Sequence, residues 1–277
     1  MDDMIIEEDN MFDDVFDDIF DDIAKYTKDL TLLYVEDNKE ARDSSALIFE
    51  EFFDNIIIAV DGEDGFEKFQ ANKIDVVISD INMPKMDGLL MFDKIRQINK
   101  EVHLILLTAF NDIEYYERSM NLNIEGYLLK PVSIAPLLTI LDKIATFIKL
   151  KKELDDNINL LKQYQNAMDK NLIVSKTDLQ GNIIYVNDRF IDTYGYSKDE
   201  ILGKKHNFLK SDKNPPELFK DIWETISVKK ETWVGLIGNK TKDGKISYSK
   251  TTISPILDID GNPIEYIALR QDVTELI

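Results

Sequence analysis

Glu36, Asp37, Asp80, Thr108 and Lys130 are the side chains in this sequence whose types, taken together, could carry a chemical step. Carboxylates that converge repel each other unless a cation joins them. Mg2+ suits such a cluster, because it takes a few carboxylate oxygens, keeps several waters and leaves room for a phosphate oxygen. In that setting Asp80 offers a carboxylate nucleophile, the metal and Lys130 neutralise the transferring phosphoryl oxygens, and the Thr108 hydroxyl hydrogen-bonds the product. The implied chemistry is a Mg2+-dependent phosphoryl site. Taken singly, each residue is equally an ordinary strand-end acid or one half of a surface ion pair; it is the set of five that favours a site. A stand-alone phosphatase is disfavoured, since a nucleophilic Asp needs a general acid close by. Two residues after Asp80 stands Asn82 rather than a second Asp.

The elements that must position these residues are legible around them. From Leu30 onward, short apolar runs at 32–35, 56–60, 76–78, 104–107 and 126–129 alternate with helical patterns starting near Asn38, Glu63, Leu89, Asp112 and Ser133. That alternation predicts an α/β doubly wound (βα)5 fold, with a parallel sheet and helices on both faces. In such sheets chemistry lies outside the carboxyl ends of the strands, where all five residues fall. A 2-1-3-4-5 strand order leaves the second strand at the edge, consistent with its contributing none of them.

Residues 30–148 resemble the receiver domain of two-component response regulators. The resemblance is carried by Val35-Glu36-Asp37-Asn38, by Asp80-Ile81-Asn82-Met83-Pro84-Lys85-Met86-Asp87-Gly88, by Leu107-Thr108-Ala109 and by Gly126-Tyr127-Leu128-Leu129-Lys130-Pro131. It implies that Asp80 accepts a phosphoryl group from a histidine kinase or phosphotransfer protein. It further implies that Glu36, Asp37, Asp80 and the Asn82 backbone carbonyl hold Mg2+, and that Lys130 and Thr108 bind the phosphoryl group. Thr108 and Tyr127 would shift together on activation. The bond before Pro131 is expected to be cis. Gly65 departs from the Ala of many receivers and is expected to loosen its helix. Phe110 is expected to limit water access to the phosphoryl group.

After Asn171 the texture becomes α+β, with strands expected at 172–175, 183–186, 232–237, 246–253 and 264–270, and a helix running from Pro215 through Ile226. The turns Lys242-Asp243-Gly244 and 258–262 are hairpin signals, and Ser197 with Glu200 makes a capping box. Residues 170–277 resemble a PAS sensory domain with an antiparallel sheet, through 183–187, Tyr194-Gly195-Tyr196-Ser197 and the terminal Asp272-Val273-Thr274-Glu275. The stretch 203–211 with Trp223, Trp233 and Asn239 resembles the subgroup that binds FAD for redox sensing. This implies Trp223 and Asn239 as ligand contacts, with Trp233 and His206 as further candidates. An indole can pack on an isoalloxazine ring and an amide can pair with its polar edge. The competing reading makes both Trp residues core or dimer anchors in an empty domain. A lone His206 is weak evidence for haem.

The whole chain sets the remaining bounds. Its 277 residues suit two domains. A net charge of −20 opposes nucleic acid and anionic lipid as direct partners. Without Cys there is no disulfide or thiolate site, and no run approaches 18 apolar residues; a cytoplasmic protein that does not span a membrane is expected. Residues 1–29 carry twelve acids against two lysines, with Phe12, Phe16, Ile19, Phe20 and Ile23 on one helical stripe. This acidic amphipathic segment is expected to pack on its own protein or on a second copy. Leu137, Ile140, Ile144, Phe147, Lys151, Leu154, Ile158, Leu161, Gln165 and Met168 keep heptad spacing. They predict a homodimer through helix 137–168, with 149–169 a coiled-coil linker continuous with the last receiver helix. The reading is a dimeric two-component signalling protein that catalyses only its own phosphorylation and dephosphorylation. The alternatives are the input half of a larger sensor kinase or cyclic-di-nucleotide enzyme, and a non-phosphorylated dimeric scaffold.

Overall fold

The computed structural model describes residues 20–109 and 122–277. Phe110, the helix expected near Asp112 and most of the acidic N-terminal segment lie outside these. The chain divides into two compact units, 1–155 and 156–277.

In the first unit, β1 (Thr31–Val35), β2 (Asn55–Ala59), β3 (Val76–Asp80), β4 (His103–Thr108) and β5 (Gly126–Leu129) form a parallel sheet in the order β2-β1-β3-β4-β5. Side chains alternate across a strand, so the near-continuous apolar runs feed two cores. Leu32, Tyr34, Ile78 and Leu107 face one side, where they meet Phe49 of α2 (Lys39–Phe49) and Leu137 and Leu141 of α5 (Ile134–Asn171). Leu33, Val35, Val77 and Leu106 face the other, against Phe69 of α3 (Gly62–Ala71) and Met91 and Phe92 of α4 (Gly88–Ile98). Asn38, Asp61 and Asp87 cap α2, α3 and α4 by accepting backbone N–H groups of the first turn.

Residues 20–27, the described end of the acidic segment, are helical (α1). Ile23 is buried in the first core and the Phe20 ring lies 4.8 Å from Phe52. This stretch packs on its own protein. Gly65 allows a close approach: a Cβ there would lie 2.6 Å from the Met91 Sδ and 3.1 Å from a Val35 methyl. The missing side chain lets α3 approach α4 and β1.

The long helix α5 has 38 residues, and its heptad seam divides. Leu137, Ile140 and Ile144 are buried in the receiver core, so they are not available to a dimer seam. Phe147, Leu154, Ile158, Leu161 and Met168 are exposed. The seam residues left for the expected pairing thus begin only at Phe147, ten residues beyond Leu137.

The second unit is an antiparallel sheet in the order β7-β6-β10-β9-β8, formed by β6 (Ile173–Thr177), β7 (Ile183–Val186), β8 (Trp233–Lys240), β9 (Ile246–Leu257) and β10 (Pro263–Asp272). The helices α6 (Asp188–Tyr194) and α7 (Lys198–Ile201) pack Phe190, Tyr194 and Ile201 against it. The helix expected to run through Ile226 changes character after α8 (Leu218–Trp223): residues Glu224–Val228 are π-helical, with the Ser227 hydroxyl donating to the Trp223 carbonyl. Among the described residues no helix is long and apolar enough to cross a membrane.

Candidate functional site

The carboxyl ends of β1, β3 and β5 bring Glu36, Asp37, Asp80 and Lys130 together. Lys130 Nζ lies 2.6 Å from Asp80 Oδ2 and 2.7 Å from Glu36 Oε2. The Ile81 N–H donates to Asp80 Oδ1 at 2.7 Å, and the Asn38 N–H donates to Glu36 Oε1 at 3.3 Å. Glu36 and Asp80 are buried, while Asp37 is exposed at the rim. Burial pushes the Glu36 carboxyl up, against the opposing pull of Lys130. Burial also works against the Lys130 charge, yet Asp80 and Glu36 outweigh it and hold the ammonium above its ordinary range. One oxygen from each of Glu36, Asp37 and Asp80 falls within 4.8 Å of the others. An all-carboxylate oxygen set of this size, open on the Asp37 side, fits a hard divalent cation such as Mg2+.

The other expected residues stand around this centre. Thr108 ends β4, its carbonyl accepts the Lys130 N–H at 3.0 Å, and its hydroxyl donates to the Ala109 carbonyl at 3.0 Å. Asn82 is exposed on the loop after β3. Tyr127 sits in β5 beside Leu106 of β4, partly buried against the second core. The Lys130–Pro131 bond is cis, as expected.

Sequence reasoning quoted Lys85 and Gly88 without giving either a task, and passed over Asp61. A Cβ at Gly88 would lie 2.1 Å from the Asp80 carbonyl oxygen, so only glycine lets the start of α4 seat on the end of β3. Lys85, at φ 64°, reaches Asp61 Oδ2 at 2.5 Å and holds that buried carboxyl low. Together these contacts tie the loop after Asp80 to α3. The spacing from Asp80 to Gly88 was the available signal, but what a glycine must approach is a tertiary fact.

The PAS unit encloses a cavity of about 520 Å³. Trp223, Asn239 and His206 line it; Trp233 does not. The Trp233 indole is buried among Ile222, Ile226, Ile237 and Tyr266, and its N–H donates to Asp221 at 2.7 Å. Trp233 is thus a core anchor, as the competing reading of the tryptophans has it. Asn239 donates to the Tyr194 hydroxyl at 3.1 Å. Trp223 packs its ring edge-on to Tyr266 and covers Gly181. His206 Nε2 lies 3.1 Å from the Ser175 hydroxyl, and burial with the nearby Arg270 charge lowers its pKa to about 3, so the ring is neutral. Arg270, unmentioned by the sequence reading, lines the same cavity and is 5% exposed.

The comparisons with known proteins agree with this division. Residues 32–142 match the response regulator receiver domain model and residues 170–275 match a PAS domain model. The bacterioopsin transcriptional activator of Halobacterium salinarum is 27% identical over 215 residues, covering 73% of this chain and 32% of that protein. The nitrogen fixation regulatory protein of Klebsiella oxytoca is 31% identical over 101 residues, 36% of this chain and 20% of that protein. The chain thus spans about a third or less of these two. The chemotaxis protein CheY of Treponema pallidum is 30% identical over 121 residues, 43% of this chain and 82% of that protein. With most of that relative matched and the strand order that the receiver motifs imply, the chain belongs to the response regulator receiver domain family and carries a PAS domain on the same polypeptide.

Proposed function

We propose that Asp80 is the phosphoacceptor of a two-component signalling protein whose PAS domain supplies a second input. The observation that carries this is Lys130, which spans Asp80 and Glu36 at 2.6 and 2.7 Å beside a third carboxylate. An Asp80 oxygen attacks the phosphorus of a phosphohistidine on a partner kinase or phosphotransfer protein, and the imidazole nitrogen leaves. Lys130 keeps its positive charge against the incoming phosphoryl oxygens, and the Thr108 hydroxyl turns to donate a hydrogen bond to one of them. Mg2+, held by Glu36, Asp37, Asp80 and the Asn82 carbonyl, supplies further positive charge to those oxygens when bound. Tyr127, on β5 beside the β4 strand that Thr108 ends, follows Thr108 and reports the change.

Incubation with phosphoramidate and Mg2+ is expected to add one phosphoryl mass to the wild-type chain and none to Asp80→Asn. Removal of Mg2+ with EDTA is expected to abolish labelling. Labelling that persists in Asp80→Asn would move the acceptor elsewhere.

The PAS cavity is the ligand site of the second domain in this reading, with FAD the cofactor that the sequence resemblance implies. Trp223 and Asn239 on its wall support that choice, and a flavin absorption band in protein purified without denaturation, or after FAD reconstitution, is the check. The exposed heptad of α5 is the surface through which two copies pair.

A further inference from the structure

The PAS cavity has an electrostatic character opposite to that of the chain around it. The protein has 53 acids against 33 bases, yet no Asp or Glu lines this cavity, whereas Lys205, Lys210 and Arg270 do. Two of these cations, Lys205 and Lys210, are exposed. The third is not. Arg270 is 5% exposed, and among the described residues no carboxylate forms an ion pair with it. Its Nη1 donates to the Ser175 hydroxyl at 2.9 Å, its guanidinium carbon lies 5.8 Å from the Phe190 ring centre, and its Nε has no hydrogen-bond partner. His206, neutral beside it, neither offsets this charge nor adds to it.

A buried guanidinium is costly unless paired, and one that forms part of a cavity wall can pair with an acceptor bound there. The rest of the wall says what must carry that acceptor. Trp223, Phe219 and Tyr266 offer aromatic surface, and Ile222 and Ile226 add aliphatic surface. A volume of about 520 Å³ is that of a site for one small molecule. One deep cation matches one negative charge rather than the two of a phosphate monoester.

We propose that the cavity binds a planar aromatic molecule carrying a single negative charge, with that charge seated on Arg270. Two kinds of molecule share this chemistry: an aryl carboxylate, and a reduced flavin, which after gaining two electrons and one proton at N5 keeps its negative charge at N1. The proposal depends on the cavity being a ligand site, as in the function proposed above, and not on phosphorylation of Asp80. Asp80→Asn leaves it untouched.

The test uses the full chain, titrated with benzoate, 2-naphthoate and 9-anthroate and with their neutral amides, read by Trp fluorescence. Wild type is expected to bind at least one acid ten-fold or more tighter than its amide. Arg270→Met is expected to lose that preference, while Arg270→Lys and Lys210→Met keep it. If the protein purifies with flavin, the same preference reads out as a midpoint potential. Arg270→Met is then expected to lower it by about 30 mV or more, the equivalent of ten-fold for a two-electron couple. Equal binding of acids and amides, binding of neither below millimolar concentration in flavin-free protein, or a flavin potential indifferent to Arg270→Met would each overturn the proposal. Loss of the preference in Arg270→Lys as well as Arg270→Met would mark lost packing instead of lost charge, and would overturn it too.

Discussion

At Gly88 a single hydrogen decides whether the start of α4 can seat against Asp80. The Asp80 carbonyl would sit 2.1 Å from a Cβ at this position, and the Ser79 hydroxyl 2.9 Å from it. Neither neighbour is the end of a flexible side chain, because Ser79 is buried and its hydroxyl donates back to the Asp80 carbonyl. Gly88→Ala must therefore displace the end of β3 or the start of α4. Overpacking of this kind costs about 1–3 kcal/mol, and here the displaced atoms belong to Asp80, the proposed acceptor. The variant is expected to unfold at lower urea and to label more slowly with phosphoramidate even where it is fully folded. Gly65→Ala is the informative comparison: its nearest neighbour is the flexible Met91 sulfur, at 2.6 Å, so it should cost less stability and leave labelling unchanged. A Gly88→Ala chain that labels at the wild-type rate would show that the close approach serves packing alone.

Among the elements, α5 is the one whose sequence pattern serves two masters. Its first three heptad residues, Leu137, Ile140 and Ile144, are buried in the receiver core, whereas every residue from 150 to 168 is exposed. A helical stretch of that length with no buried face gains little beyond its propensity. The pairing proposed above, with a like helix through Leu154, Ile158, Leu161 and Met168, would supply what is missing. Leu154→Asp with Leu161→Asp is expected to convert a dimer to a monomer by light scattering without changing the receiver's Mg2+ response; a wild-type chain that is already monomeric would remove the pairing. This helix also marks how far the sequence could be read. The five parallel strands were legible because runs such as Leu104-Ile105-Leu106-Leu107 are apolar on both faces, and the acids at their ends stood out by type. The heptad was legible too, but spacing cannot say whether a face meets its own domain or another chain. The PAS core was harder. Trp233 and Trp223 look alike in sequence, yet one is an anchor hydrogen-bonded to Asp221 and the other a cavity wall. Arg270 hides in a β-strand whose alternation reads as ordinary, and only tertiary structure shows that its charge is buried without a carboxylate.

For the whole molecule, two separate cores imply two separate responses to solution conditions. The receiver cores draw on residues up to Ala145 and the PAS cores on residues from Ile173 onward, with no member in common. Mg2+, held as proposed by the folded arrangement of Glu36, Asp37 and Asp80 and not by the unfolded chain, should stabilise the receiver transition by about 2.7 kcal/mol at a hundred times its dissociation constant. Acid should act on the other transition. His206, with its folded pKa lowered from 6.5 to about 3, stays neutral in the native PAS domain while the unfolded chain takes up a proton. Stability is therefore full above about pH 6.5 and falls as the pH drops from there toward 3, by roughly 1–2 kcal/mol at pH 5. Glu200 and Asp243, each held at about 2 by partners that include Lys242 and Thr241, lose their contribution only as the pH falls through the carboxylate range. The interval between pH 6.5 and 5 thus isolates His206, since the chain's other histidine, His103, belongs to the receiver. Calorimetry in that interval is expected to show one transition that rises with Mg2+, and a second that falls with acid, ignores Mg2+ and loses most of its pH dependence in His206→Gln. A single transition moved by both would mean that the receiver and PAS domains unfold as one cooperative body.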